Sequence, residues 1–105
     1  MARWVSVARA SDCPDGEGRE LVADGQVIAL FHVAGEFHAL DGSCPHQAGS
    51  LGRGKLAGEV VTCPRHGLCV NVKTGDYEIS TPAKQPRYAV KIEDDQVFVD
   101  LDSLA

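Results

Sequence analysis

Apolar residues recur along this chain in short runs separated by turn residues, and where they alternate the period is two. Trp4–Ala8 alternates and sets Val5 and Val7 on one face. Arg19–Ala23 and Gln26–Val33 flank Asp24-Gly25, whose two positions both tolerate positive φ, so the spacing predicts a two-residue hairpin. Val27–Phe31 is apolar without a break, which predicts a central strand. Ala34-Gly35 turns the chain into Glu36–Leu40, and Glu59–Thr62, Val70–Val72 and Tyr77–Ile79 are further short candidates. Tyr88, Val90 and Ile92 share one face, Asp94-Asp95 turns, and Val97, Val99 and Leu101 share the face of a partner strand. No stretch keeps helical spacing long enough for a substantial helix. This pattern predicts an all-β fold, an antiparallel β-sandwich or small barrel.

Three stretches break it. Asp41–Gly54 reads DGSCPHQAGSLGRG, Cys63–Gly67 reads CPRHG, and Ser80–Arg87 carries Pro82 and Pro86 without strand character. With 105 residues the chain is expected to form a single domain, 1–105. The formal charge of −5 argues against nucleic acid as a partner, because phosphate binding needs a basic face. No apolar run approaches the roughly 20 residues of a membrane helix. The opening Met1-Ala2-Arg3-Trp4 has no signal-peptide character, so a cytoplasmic protein with no membrane partner is expected. GxGxxG does not occur, and Gly16-Glu17-Gly18-Arg19 does not open a helix, so no nucleotide site is expected.

The cysteines and histidines sharpen the picture. Cys44-Pro45-His46 and Cys63-Pro64-Arg65-His66 place one thiol and one imidazole in each of two irregular loops. In a reducing compartment such pairs point to metal chemistry rather than disulfides. Two thiolates with two imidazoles suit zinc or an iron–sulfur cluster and are wrong for calcium or magnesium, which want oxygen. Each proline after a cysteine restricts its own φ and biases the cysteine to extended backbone, so a pre-bent loop loses less entropy on closing over metal. A tetrahedral zinc site remains the rival, although zinc sets usually pair like ligands at short spacing.

With its Cys-x-His and Cys-x-x-His pairs separated by the 16 residues between His46 and Cys63, the sequence resembles the Rieske family. Gly54 and Gly58 before VVTCPRHG, and VKTG at 72–75, extend the likeness. The resemblance implies a Rieske-type β-sandwich or small barrel with an inserted two-loop cluster-binding subdomain at about 41–68. It implies one [2Fe–2S] cluster per chain, with Cys44 and Cys63 on the buried iron and His46 and His66 on the outer one. Histidine ligation raises the potential into a span of about −150 to +300 mV. High-potential respiratory members carry an extra cysteine in each loop, where this chain has Gly49 and Arg65. They also carry side-chain donors where this chain has Leu68 and Val70. A potential toward the low end, falling further at alkaline pH, is therefore expected.

The chain is too short to add a catalytic oxygenase domain, so the resemblance implies an electron carrier that binds no organic substrate. Small Rieske ferredoxins pass electrons from an NADH-dependent flavin reductase to a terminal oxygenase. The docking surface is expected at the cluster tip: His46, Gln47, Arg65, His66, Gly67 and the Pro82 loop. A nitrite reductase small subunit, docked to a large reductase subunit, and a zinc-stabilised interaction module are the alternatives. Cys69 is expected to pack near the cluster base and Cys13 to be an exposed bystander. His32 and His38 are expected to be structural or surface residues rather than ligands, and Asp12, Asp15, Glu17 and Glu20 to form a solvated face.

Overall fold

The computed structural model describes residues 3–42, 51–62, 69–77 and 85–103. Among the described residues there are nine strands: β1 Trp4–Arg9, β2 Gly18–Ala23, β3 Gln26–Val33, β4 Glu36–Asp41, β5 Lys55–Ala57, β6 Val60–Thr62, β7 Cys69–Asn71, β8 Arg87–Glu93 and β9 Gln96–Asp100. They form a six-stranded antiparallel sheet in the order β1-β9-β8-β4-β3-β2 and a three-stranded sheet in the order β5-β6-β7. The edges of the larger sheet, β1 and β2, approach one another, which curls it into a nearly closed barrel. Arg3 links the flanks of the two edges, its backbone N–H donating to Asp100 at 2.7 Å and its guanidinium to Asp24 at 2.6 Å.

Local chemistry explains the hairpins. Asp24-Gly25, Ala34-Gly35 and Asp94-Asp95 all sit at positive φ on both residues, the turn whose twist matches the strands. Asp95 adopts this region without glycine because it is tied down. Its carboxylate accepts from the Ser11 amide and hydroxyl, at 3.2 and 2.9 Å, and its carbonyl from Ala10 N–H at 2.8 Å. Asp15 does the same for the β3–β4 turn, accepting from the amides of Ala34 and Gly35. That carboxylate is therefore a turn cap as well as part of an acidic face.

Two apolar cores lie on opposite faces of β3 and β4. Inside the barrel, Ile28, Leu30 and Ala39 pack with Tyr88, Val97, Val99 and Leu101. Between the two sheets, Ala29, Phe31 and Leu40 pack with Leu51, Val61, Val70 and Val72. This accounts for the unbroken apolar run in β3, since both of its faces are buried.

Of the Tyr77–Ile79 candidate only Tyr77 is among the described residues, and it forms an isolated bridge to Val70. The structure differs from the sequence reading in three places. Lys55–Ala57 is a strand, too short to show alternation, that forms by pairing with β6. Ile92 is 44% exposed, because the β8–β9 hairpin runs past the end of the core. Cys13, expected to be exposed, is completely buried. The segment around it folds onto β3: Gly16 N–H donates to His32 O at 2.6 Å, and His32 N–H to Glu17 O at 3.0 Å.

Candidate metal centre

Cys44, His46, Cys63 and His66 lie outside the described residues, as do Gln47, Arg65, Gly67 and Pro82. The described residues set where each loop begins and returns. The first leaves from Gly42 and comes back at Leu51, whose N–H donates to Gly42 O at 2.9 Å. The second is carried by the β6–β7 hairpin, where Thr62 and Cys69 are direct partners and Thr62 Oγ1 lies 3.4 Å from Cys69 Sγ. Cys69 thus stands at the base of the second loop. The third runs from Tyr77 to Gln85.

These bases are tied to one another. A Cβ on Gly54 would collide with the Thr62 carbonyl and come within 2.8 Å of Val61 Cγ2 and 3.1 Å of the Leu51 carbonyl. Glycine there lets the return of the first loop press against the start of the second. Gln85, 2% exposed, uses both ends of its amide: Nε2 donates to Asp41 O at 2.6 Å and Oε1 accepts from Tyr77 Oη at 2.8 Å. Its backbone N–H donates to Gly75 O at 2.7 Å, and Asp41 N–H donates to Pro86 O at 2.9 Å. A continuous set of bonds therefore joins β7, through Tyr77 and Gln85, to the end of β4. Nothing in the sequence marks Gln85 out, because a glutamine between two prolines reads as an ordinary loop residue.

Gln85→Leu keeps the volume and removes both bonds. We expect it to loosen the loop bases and speed iron release to a chelator, because Asp41 O and Tyr77 Oη lose the side chain that ties them together. An unchanged release rate would show that the tie is dispensable.

The other sulfur and imidazole groups are structural. Burial pushes the Cys13 thiol up, with Arg19 opposing and Glu17 reinforcing, so it stays protonated. His32 donates from Nδ1 to Cys13 O at 2.7 Å and stacks on Phe37 at 4.1 Å. His38 lines a cleft of about 150 Å³ where β4 and β8 part, and its buried Nε2 has no hydrogen-bond partner among the described residues. Burial lowers its pKa, outweighing the Glu36 carboxylate 3.6 Å away. The unfolded chain takes up a proton near pH 6.5 that folded His38 refuses, so this residue's contribution to stability is lost as pH falls below about 6.5. Thermal melts should show wild type losing more stability than His38→Leu between pH 7.5 and 5; parallel profiles would contradict this. No group of three or more metal-ligating side chains occurs among the described residues.

The model of the Rieske [2Fe–2S] domain matches residues 3–99. The chain belongs to the Rieske family. It is 33% identical over 101 residues to the ferredoxin component of a naphthalene 1,2-dioxygenase system from Pseudomonas aeruginosa, covering 94% of this chain and 96% of that one. It is 38% identical over 97 residues to apoptosis-inducing factor 3 from Homo sapiens, but spans only 16% of that protein's length. A structure of the carbazole 1,9a-dioxygenase oxygenase–ferredoxin complex superposes with a TM-score of 0.83 at 33% identity, over 92% of each chain. Membership of the Rieske family assigns this chain one [2Fe–2S] cluster and sets the zinc alternative aside. The donor set fits such a group, two thiols and two imidazoles in two loops whose described bases are held together at Gly54 and Gln85.

Proposed function

We propose that this Rieske domain is a one-electron carrier between an NAD(P)H-dependent reductase and a terminal oxygenase. In this reading Cys44 and Cys63 hold the inner iron and His46 and His66 the outer one, all within the segment of about 41–68 of a single domain. The observation that carries it is the near-complete mutual coverage with a dioxygenase ferredoxin component at 33% identity. The [2Fe–2S] group supplies reversible one-electron chemistry. The protein's part is to hold it and to tune it. Two thiolates cancel the charge of two ferric irons and two sulfides, so an electron is accepted more readily than at an all-cysteine site. Val70, fully buried, offers no side-chain donor to the sulfurs, which favours a potential toward the low end.

Docking at His46, Gln47, Arg65, His66 and Pro82 would put the imidazole edges at the partner's surface. No helix among the described residues is long and apolar enough to cross a membrane, and we place the protein in the cytoplasm. Absorption and electron paramagnetic resonance before and after dithionite, followed by protein-film voltammetry, test the reading. A red-brown protein that bleaches, gives a rhombic signal of low average g and titrates near about −150 mV is expected. A colourless protein, or a potential well above zero, would overturn it.

A further inference from the structure

The ladder between β4 and β8 is short. It holds Ala39–Tyr88 and Leu40–Arg87, and Asp41 N–H donates to Pro86 O at 2.9 Å beside them. Main-chain groups that face a given neighbour recur at every second residue, so Phe37 faces β8 as Ala39 and Asp41 do. On β8 the Ala89 amide turns to the β9 side, where it donates to Ser103 Oγ at 2.7 Å. Val90 therefore turns toward β4. His38 and Ala89, next in register, are not paired, so the bond from Val90 N–H to Phe37 O that would continue the ladder is missing. Both residues line the cleft of about 150 Å³ that opens there.

The walls of this cleft divide by chemistry. Phe37, Val72, Tyr88 and Val90 supply apolar surface, two of them as aromatic rings, while Arg87 and His38 supply the polar side chains. Arg87 is exposed, which places it at the rim. Its Nη1 donates to Lys73 O at 2.6 Å, which steadies the guanidinium and leaves its other N–H groups without a carboxylate among the described residues. The carboxylates nearby are engaged elsewhere. Glu36 meets Lys73 at 3.8 Å and His38 Nε2 at 3.6 Å, and Glu59 accepts from Asn71 at 3.1 Å. An unpaired guanidinium beside apolar walls calls for an anion with an apolar body, and the space is well below the roughly 300–1,000 Å³ of a drug-sized pocket.

We infer that this cleft binds a small carboxylate with a flat apolar body, about the size of benzoate, as a ligand of the seam between β4 and β8 and not as a substrate of the cluster. Arg87 takes the carboxylate through its planar fork. The body fills the gap beside Phe37 and Val90 that the interrupted ladder leaves, where it removes apolar surface from water.

Benzoate is the probe, added to the oxidised, cluster-loaded protein. Calorimetry is expected to give a Kd on the order of 1 mM, the affinity open to a ligand of that size. Acetate and phosphate, which lack the body, should bind about ten-fold more weakly or worse. Arg87→Leu should weaken benzoate by about ten-fold with the visible absorption unchanged, and Arg87→Lys, which keeps the charge and loses the fork, should fall between the two. The amide resonance of Val90 should shift on titration, whereas that of Val22, exposed on β2, should stay in place. Absence of binding, phosphate binding as tightly as benzoate, an unaffected Arg87→Leu, or a Val90 resonance that does not move would each overturn the inference. If Arg87→Leu does not fold, Arg87→Lys and the Val90 shift decide it. None of these readouts depends on which residues hold the cluster.

Discussion

Cys44→Ser and Cys63→Ser are each expected to yield protein without visible absorption and with iron reduced to background, whereas Cys13→Ser and Cys69→Ser keep their colour. A thiolate is the soft, anionic donor an iron–sulfur site requires, and a serine hydroxyl stays protonated at neutral pH. Losing one thiolate also leaves the site one positive charge in excess. Cys69 faces Thr62 Oγ1 at 3.4 Å, a contact a serine hydroxyl can keep. Cys13 is fully buried, so serine there costs about 1–3 kcal/mol of stability from an imperfectly paired hydroxyl, without touching the cluster. Iron per chain and the visible spectrum, measured for all four variants, decide the matter. Full iron in either of the first two, or loss of iron from a folded Cys13 or Cys69 variant, would contradict the ligand set.

Phe31→Ala should produce the largest loss of stability, about 3–5 kcal/mol, which for a domain of this size lowers Tm by roughly 15–30 °C. Phe31 is completely buried in the core between the two sheets. Its ring lies so close to Gly18 that a Cβ there would come within 2.7 Å of it. Removing the ring leaves a void that β2 and the small sheet cannot close without breaking their own ladders. The small sheet carries the second loop on β6 and β7, so iron release should quicken in the same variant. Ile92→Ala is the comparison: at 44% exposure it should change stability by no more than about 0.5 kcal/mol. Chemical denaturation of the two variants side by side checks both, and comparable losses would show that the inter-sheet core is not what holds the fold.

Much of this molecule was legible from residues alone, for local reasons. Positive φ is readily adopted by dipeptides such as Asp24-Gly25 and Ala34-Gly35, so those hairpins could be placed before the structure, whereas Asp94-Asp95 is held there by Ser11 and Ala10 from the far end of the chain. β3 was recognisable because double-sided burial leaves an unbroken apolar run. The likeness to the Rieske family was legible because ligand identity and spacing within a loop are matters of a few consecutive residues. Other features depended on contacts between residues far apart in the chain. Lys55–Ala57 becomes a strand only because β6 lies beside it. Cys13 is buried only because residues 13–17 close onto His32. Gln85 matters only because Asp41, 44 positions earlier, turns its carbonyl toward it. The alternating strands, their turns and the chemical kind of the centre were thus determined by sequence alone, each arising within a few neighbouring residues. The tie between the loop bases was decided by the tertiary structure, because it comes from segments that meet only when the two sheets pack.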